Sequence, residues 1–194
     1  SSDGLKKIMD KSYRYSDLRV WELKLAYELV TYDDIFMNER YIKDYIQHSL
    51  SIHIDEYVAY GYTYLLKNYL VGQYCLAQEY DDNPYSGRIL KNTYITDELI
   101  QDCIINIERY HNSYRGQRKN IYCLFRLDIY KTLYNYMKNN FELDQTKERI
   151  QRLKSIAKKK GYHREKILLE HLLDRNLNRI DIIKFYKYYP LVMQ

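Results

Sequence analysis

The stretch TDELIQDCIINIERYHNSY, residues 96–114, decides the fold class of this chain. Its apolar and aromatic side chains recur every three or four residues, the spacing that places one stripe along an α-helix. The stripe consists of Ile100, Cys103, Ile104, Ile107, His111 and Tyr114. Thr96 is a suitable N-cap residue, and Gly116 suits the C-terminal end. We therefore predict an amphipathic helix here, with its stripe in a hydrophobic core.

The same spacing recurs along most of the chain, and only Pro84 and Pro190 interrupt it. Because proline is the residue that most strongly breaks a helix, long stretches contain nothing that would end one. Further helices are predicted over residues 17–31, 34–50, 55–79, 118–141, 146–160, 163–176 and 179–189. The sequence therefore predicts an all-α fold, a multi-helix bundle of about eight helices.

One region also has features of β-structure. Residues 51–55 alternate between polar and apolar, and residues 57–64 are rich in tyrosine, valine and threonine, which favour strands. A short β-hairpin around 51–64 therefore stays open as the alternative to a helix.

The length and composition narrow the class of protein. A chain of 194 residues is enough for one domain, or two small ones, with a buried core. Apolar residues make up 46% and charged residues 29%, which excludes a disordered tail, a collagen and a membrane bundle. No run of 18 apolar residues occurs, so we expect no membrane-spanning helix and no membrane partner.

The three cysteines, Cys75, Cys103 and Cys123, lie in apolar stretches and form no CxxC pair. An odd number does not suit a disulfide framework, and the absence of CxxC does not suit a zinc knuckle. We expect buried free thiols in an intracellular, reducing compartment, the cytoplasm or the nucleus. No cofactor is expected.

Tyrosine is abnormally frequent, with 25 Tyr against 4 Phe and 1 Trp. Tyr, Ile, Asn and Lys have AT-rich codons, so the composition indicates an AT-rich genome, such as that of a large DNA virus or a mobile element. Two tyrosine clusters are Tyr57, Tyr60 and Tyr64, and Tyr130, Tyr134 and Tyr136. We interpret them as helix packing, with a protein interface or base stacking as alternatives. Exposed tyrosines among residues 1–141 would favour the protein interface.

Positive charge is concentrated towards the C-terminus. Residues 142–194 contain 13 Lys and Arg against 7 Asp and Glu, whereas residues 1–141 carry a net charge of −1. We divide the chain into a Tyr-rich helical core domain, 1–141, and a basic C-terminal helical segment, 142–194, packed on the same domain. Clustered cations suit the phosphates of nucleic acid, and a solvated helix face is the alternative. The candidate nucleic-acid-binding residues are Lys147, Arg149, Arg152, Lys154, Lys158, Lys159, Lys160, His163, Arg164 and Lys166.

Residues 153–167 resemble a helix-turn-helix motif. Ala157 is the small residue where the helices would touch, Gly161 supplies a left-handed turn, and Ile167 is the aliphatic residue that follows. The side chains that this resemblance places in the major groove are His163, Arg164, Lys166 and Glu170.

Motifs for catalysis and metal binding are absent or weak. There is no GxGxxG, GxxxxGK or HExxH sequence. Glu108 and His111 form one ExxH pair, whereas a di-iron helix bundle needs two, so we interpret His111 as a core histidine and predict no metal site. Arg164 and His171 have an Rx6H spacing similar to that of some helical ribonuclease domains that dimerise to cut RNA.

We therefore expect a non-enzymatic helical protein that associates with DNA or RNA, as a regulator or as a subunit of a nucleoprotein assembly. The alternative is a protein-interaction module, such as a viral or mobile-element inhibitor or a structural subunit of a large complex. In that case the basic segment would contact an acidic protein surface. A helical ribonuclease is the third candidate.

Overall fold

The computed structural model describes residues 35–75, 95–112 and 121–189. Within these ranges the chain is all-α and has no strand, which confirms the predicted fold class. The helices are α1 (Ile35–Ser51), α2 (Asp55–Leu70), α3 (Asp97–Asn112), α4 (Ile121–Met137), α5 (Leu143–Lys160), α6 (His163–Asp174) and α7 (Arg179–Tyr188). A π-helical turn, Val71–Cys75, continues α2. The helix predicted over 17–31 lies outside the described residues.

The hairpin considered around 51–64 is wrong, because α2 covers most of that region. Between α1 and α2 the chain turns at His53, which has a left-handed φ of 57°, and Ile54 N donates to Ser49 O over 3.2 Å. The carboxylates of Asp55 and Glu56 then lie in the first turn of α2, where they stabilise the positive end of the helix dipole. Burial of α2 on several sides outweighs the strand preference of its tyrosines and threonine.

Some helices begin or end at other residues than apolar periodicity predicts, because local hydrogen bonds and turns determine the ends. α5 begins three residues before Thr146, whose side chain is buried and donates to Glu142 O over 2.8 Å instead of capping the helix. α4 ends at Met137 because Asn139 adopts a left-handed φ of 59° and Asn140 N donates to Asn135 O over 2.9 Å. Such local turns are weakly encoded by apolar periodicity, which fixes faces better than ends.

The first compact unit contains α1, α2 and α3, with α2 packed against both of the others. The described part of the predicted stripe of α3 is buried, and Ile100 and Ile107 have no exposed surface. Tyr114 and Gly116, the last residues of that prediction, lie outside the described residues. At its start Thr96 Oγ1 accepts from Leu99 N over 3.4 Å, so the predicted N-cap is confirmed. Tyr62 and Tyr110 stack with ring centroids 6.2 Å apart, which joins α2 to α3.

The second compact unit contains α4 to α7 together with residues 73–75. Within it α5 packs against α4 and α6, and α7 against α4. Its core includes Ile129, Leu133, Ile150, Leu169 and Ile182, none of which has exposed surface. The division of the chain into a core domain, 1–141, and a basic segment, 142–194, stays a prediction, and α4 belongs with the basic helices in this unit.

The tyrosine clusters are part of the packing, as predicted. Tyr57, Tyr64, Tyr130 and Tyr134 are buried, and their cluster neighbours are half-buried. In the described parts of residues 35–141 every tyrosine is buried or half-buried. The exposed tyrosines that would favour a protein interface are therefore absent from these parts.

Gly61 of α2 packs directly against side chains of α1. A Cβ added there would overlap the Ile46 side chain and stand 3.1 Å from Tyr45 Cδ1. We expect Gly61→Ala to lower the free energy of unfolding by about 1–3 kcal/mol, because overpacking outweighs the better helix propensity of alanine. Urea unfolding checks this. Ser155→Ala, on an exposed position of α5, is the control, and an equal or higher stability for Gly61→Ala would contradict the close packing.

Cys103 and Cys123 are buried free thiols, as predicted, and burial raises the pKa of both, that of Cys123 to about 12. Since the thiolate is the reactive form, neither should react with a thiol reagent while the protein is folded. After unfolding without reductant, we expect all three cysteines of the chain to react. Rapid modification of Cys103 or Cys123 in the native state, read by peptide mass spectrometry, would contradict their burial.

Candidate nucleic-acid interface

The turn between α5 and α6 forms as the sequence predicts. Gly161 has a left-handed φ of 74°, which a residue without a Cβ adopts at little cost. Tyr162 N donates to Ala157 O over 2.9 Å, which closes the end of α5. Ala157 is fully buried, as expected for the small residue between two touching helices. The helix–Gly–helix corner is therefore confirmed.

The third residue of the helix-turn-helix likeness, Ile167, does not pack as the motif requires. Its side chain is 64% exposed. The inward residues of α6 are Glu165, Leu169 and Leu172, spaced four and three apart. Because Ile167 lies two residues from both Glu165 and Leu169, it falls on the opposite face of the helix. The likeness to a helix-turn-helix motif is therefore confined to Ala157 and Gly161.

A buried ion pair holds the start of α6 against α4. Arg126 and Glu165 have 0% and 1% of their surface exposed, and Arg126 Nε lies 3.5 Å from Glu165 Oε1. Tyr189 Oη donates to Glu165 Oε1 over 2.6 Å and accepts from Arg126 Nε over 3.0 Å. Tyr122 Oη also donates to Glu165. One carboxylate thus joins α4, α6 and the residue that follows α7.

The surroundings of Glu165 favour its charged form. Burial raises the pKa of this carboxyl, but hydrogen bonds from Tyr122 and Tyr189 and the charge of Arg126 outweigh burial, so its pKa lies below the usual value. The same contacts raise the pKa of the tyrosines: burial and the bond to Glu165 raise that of Tyr122 to about 12. At neutral pH the cluster is therefore a carboxylate that accepts hydrogen bonds from two neutral phenols.

Aromatic contacts fix the turn itself. The ring of Tyr162 lies 4.6 Å from that of Tyr122 and 5.2 Å from that of Phe125, both on α4. The guanidinium of Arg126 lies 4.8 Å from the Tyr122 ring and 4.7 Å from the Tyr189 ring, within cation–π range. Tyr162 thus packs the turn against α4. The side chains of the lysines that precede it and of His163 and Arg164 are exposed.

The predicted basic residues divide into groups with different surroundings. Those that flank the turn and are exposed are Lys158, Lys159, Lys160, His163 and Arg164. Arg149 and Arg152, also exposed, instead line a cleft of about 380 Å³ with Asp128 and Lys131 of α4. Lys147, Lys154 and Lys166 are half-buried, and Lys154 Nζ lies 3.7 Å from Glu170 Oε1. The structure therefore brings five of the ten residues to the turn.

Arg149 and Arg152 also contact side chains that are close to them in the sequence. Arg152 Nη2 lies 2.5 Å from Glu148 Oε1, an exposed i,i+4 pair. The Arg149 guanidinium lies 4.3 Å from the Phe141 ring. An exposed pair of this kind contributes little to stability, so a phosphate could replace Glu148 as the partner of Arg152.

A groove runs between α6 and α7. Its volume is about 230 Å³, and the residues that line it are Arg164, Leu168, His171, Leu172, Asp181, Lys184, Phe185, Tyr188 and Tyr189. Arg164 and His171, the pair with Rx6H spacing, therefore meet in one groove. His171 Nε2 lies 3.8 Å from Asp181 Oδ1, and Arg175 Nε lies 3.4 Å from Asp181 Oδ2.

The candidate metal ligands do not assemble. His111 is 4% exposed on α3, and burial lowers its pKa, so the core interpretation of this residue is confirmed. In the ranges that the structure describes, no group of three or more His, Cys, Asp or Glu residues could hold a metal ion.

Neither the Arg126–Glu165 pair nor the groove between α6 and α7 was predicted from the sequence. Arg126 was detectable, because it shares the apolar face of α4 with Ile129 and Leu133, three and seven residues further on. A charge at a core position calls for a buried counter-charge. Lys184 and Tyr188 gave no such signal, because the groove forms from side chains of two different helices.

Replacement of Glu165 tests the role of the pair. With its lowered pKa, Glu165 stabilises the fold above its unfolded pKa of about 4.3, and this stabilisation is lost as the pH falls through the folded pKa. Glu165→Gln leaves Arg126 without its counter-charge, so the free energy of unfolding at neutral pH should fall by about 3–5 kcal/mol. The variant should also lose part of the acid dependence of the wild type.

Urea unfolding across a pH series measures both effects. Glu148→Gln is the matched control, because Glu148 is an exposed partner of an arginine. Equal losses for the two variants would contradict the structural role of the buried pair.

No protein-family model, no curated protein and no solved structure matches this chain. Among the described residues, no helix has the length and apolar character needed to cross a bilayer.

Proposed function

We propose that this protein binds the phosphate backbone of nucleic acid through the turn between α5 and α6. We define the turn surface as Lys158, Lys159, Lys160, His163 and Arg164. The observation that supports it is the combination of charge and exposure: all five side chains are exposed, and residues 158–164 contain no acidic residue. The nearest acid in the chain, Glu165, is buried and paired with Arg126.

Exposed cations of this density suit a polyanion. Each phosphate that a lysine or arginine neutralises releases condensed counterions, which gives sequence-independent affinity that falls with salt. Because backbone contacts carry no sequence information, the turn surface alone predicts binding without base preference. Such binding fits a subunit of a nucleoprotein assembly or a regulator that gains specificity elsewhere.

The distribution of charge supports the choice of this surface. Helices α1, α2 and α3 together contain 8 Asp and Glu against 4 Lys and Arg. A polyanion would be repelled by such a set of charges and attracted by the turn surface. An acidic protein surface would use the same cations, and the binding assay with purified nucleic acid separates the two partners.

Charge reversal tests the proposal. The triple variant Lys158→Glu, Lys159→Glu and Lys160→Glu should weaken binding to any sequence about equally. It should also reduce the slope of log Kobs against log salt by about 0.9 for each phosphate contact that is lost. Fluorescence anisotropy with labelled DNA and RNA, from about 50 mM salt upward, measures both quantities.

The matched control reverses three exposed cations elsewhere: Arg40→Glu, Lys43→Glu and Arg109→Glu, on α1 and α3. It changes the net charge equally and should weaken binding far less. Absence of wild-type binding at about 50 mM salt, or equal losses in both triple variants, would contradict the proposal. The protein is also incubated with RNA, and the length of the RNA is then measured. Full-length RNA indicates binding alone, whereas shortened RNA would indicate cleavage by the pair Arg164 and His171.

A further inference from the structure

The groove between α6 and α7 has an aromatic and apolar lining. Phe185 and Tyr189 are buried against it, and Leu168 is half-buried at its wall. Tyr188 also lines the groove, yet 64% of its surface is exposed. An exposed ring beside an apolar floor can cover one face of a flat ligand while the floor covers its edge.

The charged groups around the groove leave it cationic. Arg164 and Lys184 are both exposed, and the Arg164 guanidinium lies 5.6 Å from the Tyr189 ring. The acid in the lining, Asp181, faces His171 and is paired with Arg175 at 3.4 Å. Arg175 therefore offsets the charge of Asp181, and Arg164 and Lys184 remain to attract an anion.

Arg164 belongs both to the turn surface and to this groove. A strand whose phosphates lie on the turn surface therefore passes the mouth of the groove. The groove, at about 230 Å³, is smaller than the roughly 300–1,000 Å³ of pockets that take drug-sized ligands, so it suits a single flat ring. Apolar lining, cationic rim and small size together match one nucleotide: a base inside and its phosphate at the rim.

We propose that the groove between α6 and α7 takes an unpaired base of single-stranded nucleic acid, whose backbone lies on the turn surface. This inference rests on the proposed function and adds its substrate class. In a duplex the bases are stacked on one another and are not available to the groove. Every base has a π-face, so stacking on Tyr188 is tolerant of sequence.

The test uses the full chain with three probes of equal length: oligo-dT, an abasic oligomer, and a duplex. Tyr188→Ala should weaken binding of oligo-dT by about 5- to 150-fold, the equivalent of about 1–3 kcal/mol for one stacked base. Its affinity for the abasic oligomer and for the duplex should be unchanged. Tyr188→Phe keeps the ring and should bind as the wild type does.

Ile180→Ala is the matched control, since Ile180 is 48% exposed on α7 and does not line the groove. Tyr188 is exposed, so its variants should fold, which circular dichroism checks. Wild-type protein that binds all three probes equally, with no effect of Tyr188→Ala, would overturn the base site and leave backbone binding standing. Failure to bind any probe would overturn both proposals.

Discussion

The buried contact between Arg126 and Glu165 is the constraint on which the second unit depends. Two charges removed from water are costly unless each finds a partner, and here the carboxylate also accepts hydrogen bonds from Tyr122 and Tyr189. A shift of α6 along α4 would break these contacts together. The pair therefore joins α4, α6 and the residue that follows α7 in one arrangement.

This arrangement determines which side chains of the basic segment face outward. Glu165 is one of two acids among residues 146–166, which contain nine lysines and arginines. Because Glu165 points inward to Arg126, it does not offset the charge of the exposed residues beside it. Gly161 then reverses the chain in a left-handed turn, which presents lysines from the end of α5 and His163 and Arg164 from the start of α6. Because Glu165 is buried with Arg126, the exposed residues of the turn surface have no exposed acid beside them in the sequence.

The parts of the fold that follow from local spacing were predictable. The stripe of α3 and the turn at Gly161 each depend on residues within a few positions of one another, and both formed as expected. The inward face of α6 was not predictable from its own residues. The likeness to a helix-turn-helix motif calls for an aliphatic residue at Ile167, but the inward face of α6 is decided by Arg126, 39 residues before Glu165 in the chain. The hairpin at 51–64 failed for a related reason, since burial on neighbouring helices overrode local strand preference.

The candidate site also has a part that was predictable from the sequence and a part that was not. Clustered lysines are visible in a sequence because charge is a property of each residue, so the basic cluster that contains the turn surface could be named in advance. The groove needs Arg164 and His171 from α6 and Lys184 and Tyr188 from α7 on one concave surface. No single stretch contains that arrangement. Exposure also separated the ten predicted binding residues into those at the turn and those that line a cleft or lie half-buried.

Lysine footprinting shows directly whether the turn surface contacts nucleic acid. The protein is treated with an amine-acylating reagent in the absence and presence of oligo-dT, and the modification of each lysine is read by mass spectrometry. We expect the strand to protect Lys158, Lys159, Lys160 and Lys184, while Lys43 on α1 is modified equally in both samples. Unchanged modification of the turn lysines, or protection confined to Lys43, would contradict nucleic-acid binding by the turn surface.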